Sequence, residues 1–152
     1  MGKTFTTLAD LVRQVEARLL DSGGQAGLGL VLLDRVDVSA AAPEALAHKG
    51  IGVQAPQTEN SGEYRDQGLA RVEDRLQVTL AYRVRPKAQK ASRDEALDLE
   101  EQIRIRLTDD IALREMRIHY LGSTRGPHPK SSEWYVITQA FSAQRDALLG
   151  GR

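Results

Sequence analysis

The sequence contains no cysteine, and aromatic residues make up only 5% of its 152 residues. Without cysteine, the chain cannot form a disulfide framework, a thiolate zinc site, an iron–sulfur cluster or a cysteine nucleophile. It also has no excess of charge of one sign, because 21 lysines and arginines balance 21 aspartates and glutamates. This balance excludes a generally basic nucleic-acid-binding protein.

Long hydrophobic runs are missing as well. The longest apolar stretch, residues 28–33, is interrupted by Gly29, and it is far shorter than the roughly 20 residues that cross a bilayer. We therefore expect no membrane partner. With 41% hydrophobic and 28% charged residues, the composition predicts one domain with a single core over residues 1–152.

Hydrophobic periodicity predicts two main helices. Thr7 can cap the first helix, and the glycines at 23 and 24 can end it. The second helix is predicted to open at a capping box that begins with Ser92 and to run to about Thr108. Apolar residues of the first helix recur at the 3.6-residue period: Leu8, Leu11, Val12, Val15 and Leu19.

Alternating and β-branched segments predict five strands, with the clearest alternation between residues 76 and 85. The strands are expected over 28–38, from 51, over 76–85, over 116–120 and over 133–143. Long exposed loops are expected at about 56–70 and 122–132, a helical turn or loop at 40–49, and a frayed tail at 146–152. The order α-β-β-β-α-β-β predicts an α+β fold whose mostly antiparallel sheet carries two main helices packed on one face.

The sheet face away from the helices carries apolar residues whose role the sequence leaves open. Ala81, Leu121 and either Trp134 or Tyr135 fall on that face by strand alternation. They either contact a partner or pack beneath the long loops. The leading apolar strand, residues 28–38, is expected to be buried from two sides or to lie at a contact between subunits.

Catalytic and metal-binding motifs are not recognisable. His48, His119 and His128 lie in three different segments, without the i, i+4 spacing that presents two ligands to one metal. We expect His119 on the sheet surface and His128 on a loop surface. Adjacent acids such as Glu100 and Glu101 diverge by about 100° on a helix, so they are expected to be solvated. The sequence therefore predicts no enzyme, no cofactor and no metal site.

Charge is unevenly distributed along the chain. Residues 111–130 contain four basic side chains and one acidic side chain, whereas residues 59–75 contain five acidic and three basic ones. A basic patch and an acidic loop on one molecule allow copies to pair head to tail and to close into rings. Ordinary mixing of charged residues along the chain, without any pairing between copies, explains the same pattern.

A resemblance to a protein family lies mainly in the last third of the chain. It rests on ALDLEEQIRIRLTDDIAL at residues 96–113, on Ile118, and on EWYVITQAF at residues 133–141. These segments, with the order of elements over nearly the whole chain, resemble the tail terminator (minor tail or tail completion) proteins of long-tailed phages of the lambda type.

The resemblance implies a structural virion protein that forms a hexameric ring on the head-proximal end of the tail tube. Such a ring ends tube growth and provides the docking surface for the head or neck. The implied partners are further copies, the tail tube protein and a neck or head-completion protein, at the tail–neck region of a virion assembled in the host cytoplasm. Neither a cofactor nor sequence-specific nucleic acid is implied, although DNA can pass through such a ring.

Candidate interface residues are exposed aromatics and charged residues in the predicted loops and at the last strand, because such side chains are enriched at interfaces. They are Tyr64, Arg65, Asp66, Arg125, His128 and Trp134. For Trp134, plain core packing is an equal alternative. Other readings are a different phage neck, head-completion or tail-tube component, or a small-ligand-binding or enzymatic α+β domain that uses His119.

Overall fold

A computed structural model describes residues 7–20, 27–34, 37–64, 68–108 and 116–148, with only the backbone described for 61–64. Two α-helices, a 3-10 turn at Pro43–Ala45 and five strands account for the regular structure in these ranges. In chain order they are α1 Leu8–Leu20, β1 Val31–Leu32, β2 Gly50–Tyr64, β3 Leu69–Arg83, α2 Gln89–Thr108, β4 His119–His128 and β5 Ser131–Leu148. The predicted order α-β-β-β-α-β-β is confirmed.

The strands form one sheet in the order β1-β2-β3-β5-β4. β2, β3, β5 and β4 pair antiparallel, and only the two-residue β1 runs parallel to its neighbour β2. β3 is the central strand, because it pairs along its whole length with β5 and along most of it with β2. The predicted α+β fold with a mostly antiparallel sheet is therefore confirmed.

Helix α1 forms as the sequence predicts. The hydroxyl of Thr7 accepts a hydrogen bond from the backbone N–H of Asp10 at 3.1 Å, which satisfies one of the free donors at a helix start. Leu11, Val15 and Leu19 recur every four residues and are buried. The opposite side of the helix stays in contact with water.

Helix α2 begins one turn before the predicted capping box. Ser92 lies inside the helix, where its hydroxyl donates to the backbone oxygen of Ala88 at 2.7 Å and accepts the N–H of Arg85 at 3.0 Å. The capping-box prediction is wrong because this serine satisfies backbone groups on both sides and leaves room for a preceding helical turn. The helix ends at Thr108, as predicted.

The hydrophobic core lies between the two helices and one face of the sheet. Side chains from both helices and from alternate positions of β3 and β5 form a single cluster, so both helices pack on the same face. Its largest fully buried members on the strands are Ile51, Leu76, Leu80, Ile137 and Phe141. The predicted layer arrangement is confirmed.

The predicted loop at 56–70 is mostly a β-hairpin. β2 continues to Tyr64 and pairs with β3 as far as Ala70. Polar side chains stabilise this hairpin through hydrogen bonds between its strands. For example, the hydroxyl of Thr58 donates to the Asp74 carboxylate at 2.5 Å. Pro56 fits because it lies at a register shift between Gln54 and Gln57.

The prediction of a loop at 122–132 is also wrong, and so is that of a frayed tail for its described residues, 146–148. Residues 122–128 belong to β4 and residues 131–132 to β5, with only a two-residue turn between these strands. The proline at 127 is tolerated because β4 is an edge strand. At the C-terminal side, β5 continues to Leu148, and Asp146 pairs with Arg71 of β3 at 3.2 Å. Residues 149–152 lie outside the described ranges.

The first strand is much shorter than the predicted 28–38. Among its described residues, 28–34 and 37–38, only Val31 and Leu32 pair with β2, and they are 47% and 40% exposed. The expectation that this strand is buried from two sides is therefore wrong, since β1 is an edge strand with one neighbour. The other expectation, a contact between subunits, stays a prediction. The turn predicted within 40–49 is present as the 3-10 turn Pro43–Ala45.

Candidate assembly surfaces

Of the six residues expected at an interface, the three whose side chains the structure describes do not form one cluster. Tyr64 is the last residue of β2 and pairs with Ala70, while Arg65 and Asp66 lie outside the described residues. The other three, Arg125, His128 and Trp134, lie on β4 and β5 and have different surroundings.

Arg125 connects β4 to helix α2. Its Nε and one terminal nitrogen each lie 2.6 Å from a carboxylate oxygen of Glu100, and these hydrogen bonds raise the pKa of the guanidinium. Glu100 is buried, so the expectation that it is a solvated helix charge is wrong. The pair places Arg125 mainly in a structural role, although its side chain remains 43% exposed.

His128 is buried, not at a loop surface as expected. Its Nδ1 accepts the backbone N–H of Lys130 at 3.0 Å. The proton of the neutral ring therefore resides on Nε2, which donates to the backbone oxygen of Ala41 at 2.8 Å. The sequence could not show this contact because Ala41 lies 87 positions away. His128 joins the segment 37–46 to the turn between β4 and β5.

Trp134 packs in a small second core on the sheet face away from the helices. It is only 6% exposed and lies in a cluster with Val38 and Ala81. The guanidinium carbon of Arg83 lies 5.9 Å from its ring centroid, within range of a cation–π contact. The alternative of core packing is therefore confirmed for Trp134 and Ala81, whereas Leu121 is 47% exposed.

The predicted acidic loop is partly neutralised within the molecule. Asp74 is fully buried and accepts Arg145 Nε at 2.6 Å, and Glu73 lies 3.8 Å from Arg75. On the other side, Arg125 of the predicted basic patch is paired with Glu100. The charges that remain available to a partner are thus fewer than the sequence indicates.

A polar cluster that sequence reasoning missed joins β3 to the start of α2. The Tyr82 hydroxyl donates to Glu95 at 2.7 Å, and Arg85 binds the same carboxylate through two nitrogens at 3.0 and 2.7 Å. The ring of His48 meets that of Tyr82 edge to face at 4.5 Å. The only sequence signal is the strand alternation that directs Tyr82 toward the helix layer.

These contacts move the pKa values of the cluster away from neutrality. Hydrogen bonds from Arg85 and then Tyr82 lower the pKa of Glu95 to about 2. Burial, followed by the bond to Glu95, raises the pKa of Tyr82 to about 12. A general acid or base works best with a pKa near the operating pH, so this geometry favours a structural role over proton transfer.

An open groove lies between α1 and the sheet edge formed by β1 and β2. Its volume is about 1010 Å³, and its apolar lining includes Val12, Leu32 and Val53. Glu16 and Asp34 stand on its rim, and neither carboxylate has an ion-pair partner among the described residues. The sequence signal for this groove is Val12, an apolar residue of α1 that lies beside the buried residues Leu11, Val15 and Leu19.

The opposite edge of the sheet carries a second exposed surface, which we call the β4 face. It consists of Arg117, His119 and Leu121, which alternate with the buried or half-buried Ile118 and Tyr120. His119 lies on the sheet surface, as expected. Arg117 has no ion-pair partner within the described ranges.

Two further features are absent from the part of the chain that the structure describes. No group of three or more histidine, aspartate or glutamate side chains is placed there to hold a metal ion. Neither α1 nor α2 has the length and apolar character that a helix needs to cross a membrane. No model of a known protein family matches the sequence, and no curated protein matches it.

Proposed function

We propose that this chain is a structural subunit of a phage tail, which forms a ring on the head-proximal end of the tail tube. The ring ends tube polymerisation and offers the docking surface for the head or neck. The observation that carries the proposal is the agreement between the resembling segments and the elements of the fold: residues 96–107 lie on α2, and residues 133–141 lie on β5.

The physical character of these two segments supports the proposal. In α2, Ala96, Leu99, Ile103 and Leu107 form the stripe that packs on the sheet. In β5, alternate residues of 133–141 enter the same core. The resembling residues are therefore those that fix the packing of helix on sheet, as expected for a shared architecture.

A second feature supports a scaffolding role. Beyond Leu76 and Ala143, which are the last members of the main core cluster in that direction on β3 and β5, strands β2, β3 and β5 continue together. From Leu76 to Leu69 this extension is about 20 Å long at strand geometry. Leu69, Ala70 and Val72 within it are buried, and cross-strand ion pairs such as Arg71–Asp146 hold it together, so it is a stiff continuation of the sheet.

Electron microscopy of the purified protein with tail tubes of the same phage tests the proposal. We expect density confined to one end of each tube and tubes that no longer elongate when tube protein is added. The matched control is tube protein incubated without this chain, which should continue to grow. Protein spread along the whole tube would identify a tube subunit instead, and protein that ignores tubes and remains monomeric would overturn the proposal.

A further inference from the structure

We infer that copies of this chain join head to tail, with the β4 face of one copy seated in the groove between α1 and β2 of the next. This inference rests on the proposed ring and names the contact that would build it. The groove and the β4 face lie at opposite edges of one sheet. A contact between two different surfaces of the same molecule repeats from copy to copy and closes a ring when the rotation allows.

The groove has the properties of a receiving surface for an apolar side chain. Val12, Val53 and the 40% exposed Leu32 supply apolar walls. The neighbouring Val31, on the same edge strand, is 47% exposed. Contiguous apolar surface of this kind marks places where proteins meet other molecules.

The β4 face has a matching shape and chemistry. Leu121, 47% exposed, lies at a register shift between Tyr120 and Gly122, and such a bulge changes the direction in which a side chain points. Gly122 beside it has no side chain that could keep a neighbouring surface away. Leu121 is therefore an apolar projection on an otherwise polar edge.

Charge selects a second copy as the occupant. The groove lining carries the carboxylates of Glu16 and Asp34, while Arg13, which also lines it, is paired with Asp10. The β4 face carries the guanidinium of Arg117, four residues before Leu121. Seating the β4 face in the groove brings opposite charges together around an apolar centre, which favours the correct partner and orientation. Two grooves or two β4 faces that met would instead place like charges opposite each other.

The absence of cysteine from the sequence makes disulfide cross-linking a direct test. Leu32→Cys and Leu121→Cys are mixed as separate single variants, assembled on tube ends and oxidised. We expect one cross-linked dimer from the mixture, and from a chain with both substitutions a ladder that ends at the size of the ring. Leu32→Cys mixed with Ile105→Cys is the control, since Ile105 is similarly exposed, at 45%, but lies on α2.

Charge reversal gives a second, independent readout. Arg117→Glu should raise the protein concentration needed for half-maximal ring formation by about tenfold or more, because it places like charges together. Glu16→Arg combined with Asp34→Arg should do the same, and mixing the two variants should restore assembly. Lys87→Glu, the same change at another exposed site, should assemble like the unmodified chain, and circular dichroism melting confirms that each variant is folded.

The outcomes separate this inference from the proposed function. Rings that form without a 32–121 cross-link above the 32–105 background would overturn the inference and leave the ring intact. A discrete extra mass retained by the purified monomer in native mass spectrometry, and lost in Leu32→Arg, would show that the groove holds a small apolar molecule and would also overturn it. Failure of the unmodified chain to cap tubes would overturn the proposed function itself.

Discussion

Asp74 on β3 and Arg145 on β5 form an ion pair that is almost completely withdrawn from water. Arg145 Nε lies 2.6 Å from Oδ2 of Asp74, and the two side chains are 10% and 0% exposed. Thr58 of β2 donates its hydroxyl to the same aspartate. One carboxylate thus connects three adjacent strands at the point where the sheet extends beyond the hydrophobic core.

We predict that Asp74→Asn lowers the free energy of unfolding by about 1.5–3 kcal/mol, because the charge-assisted hydrogen bond between the buried carboxylate and Arg145 is lost. Urea unfolding at neutral pH measures the change. The control is Glu73→Gln, next in sequence and paired with Arg75 near the surface, where the loss should stay within about 1 kcal/mol. Equal effects at the two positions would contradict the account of Asp74.

His128 should be neutral and protonated on Nε2, because Nδ1 accepts the Lys130 N–H. Nitrogen-15 correlation spectra of the imidazole report this tautomer directly. His128→Ala should lower the free energy of unfolding by about 1–3 kcal/mol, since the buried oxygen of Ala41 then lacks its donor. His119→Ala, at an exposed strand position, should have little effect. A tautomer with the proton on Nδ1 would contradict the geometry.

Acid should destabilise the fold through Glu95. The pKa of this residue falls from an ordinary value of 4.5 to about 2 in the folded chain, so folding favours the ionised form. The stability that this carboxylate contributes is complete above pH 4.5 and is lost as the pH falls toward 2. We expect a drop in melting temperature across that window, and a smaller drop in Glu95→Gln. Identical pH profiles would contradict the role given to Arg85 and Tyr82.

Lys49 has a backbone φ of 60°, in the left-handed region that costs most residues about 1 kcal/mol. Lys49→Gly should therefore raise the free energy of unfolding, by up to about 1 kcal/mol after the added flexibility of the unfolded chain is subtracted. Thermal melting checks the sign. Lys90→Gly inside helix α2 is the opposing control and should be destabilising. A loss of stability at position 49 would show that contacts of its side chain outweigh the backbone strain.

Local sequence patterns determined much of this fold, and the failures have a common physical cause. The stripe Leu11, Val15 and Leu19 predicted α1, and the alternation from 76 to 85 predicted the inner part of β3. The polar residues of 56–64 indicated a loop because strands are usually recognised by apolar alternation. In this chain the backbone of β2 pairs with β3, and Thr58 hydrogen-bonds to Asp74 on that strand, which no local pattern reveals.

The candidate interface was harder to predict than the fold. The sequence identified Arg125, His128 and Trp134 by residue type, and each has an intramolecular partner that lies far away in the chain: Glu100, Ala41 and Val38. The groove and the β4 face depend on exposure, which only the packed structure determines. Leu121 is exposed and lies at a register shift, which strand alternation could not foresee, and partner contact remains its prediction.

The central position of β3 has a consequence for synthesis on the ribosome. β3 can pair with β2 as soon as residues 50–83 have emerged, but its second neighbour, β5, is made only after α2 and β4. Until then the nascent hairpin must present a full-length unpaired edge, and exposed edges of this kind invite pairing with other chains. A translational pause between residues 83 and 131 would therefore be expected to increase co-translational aggregation more than a pause before residue 50.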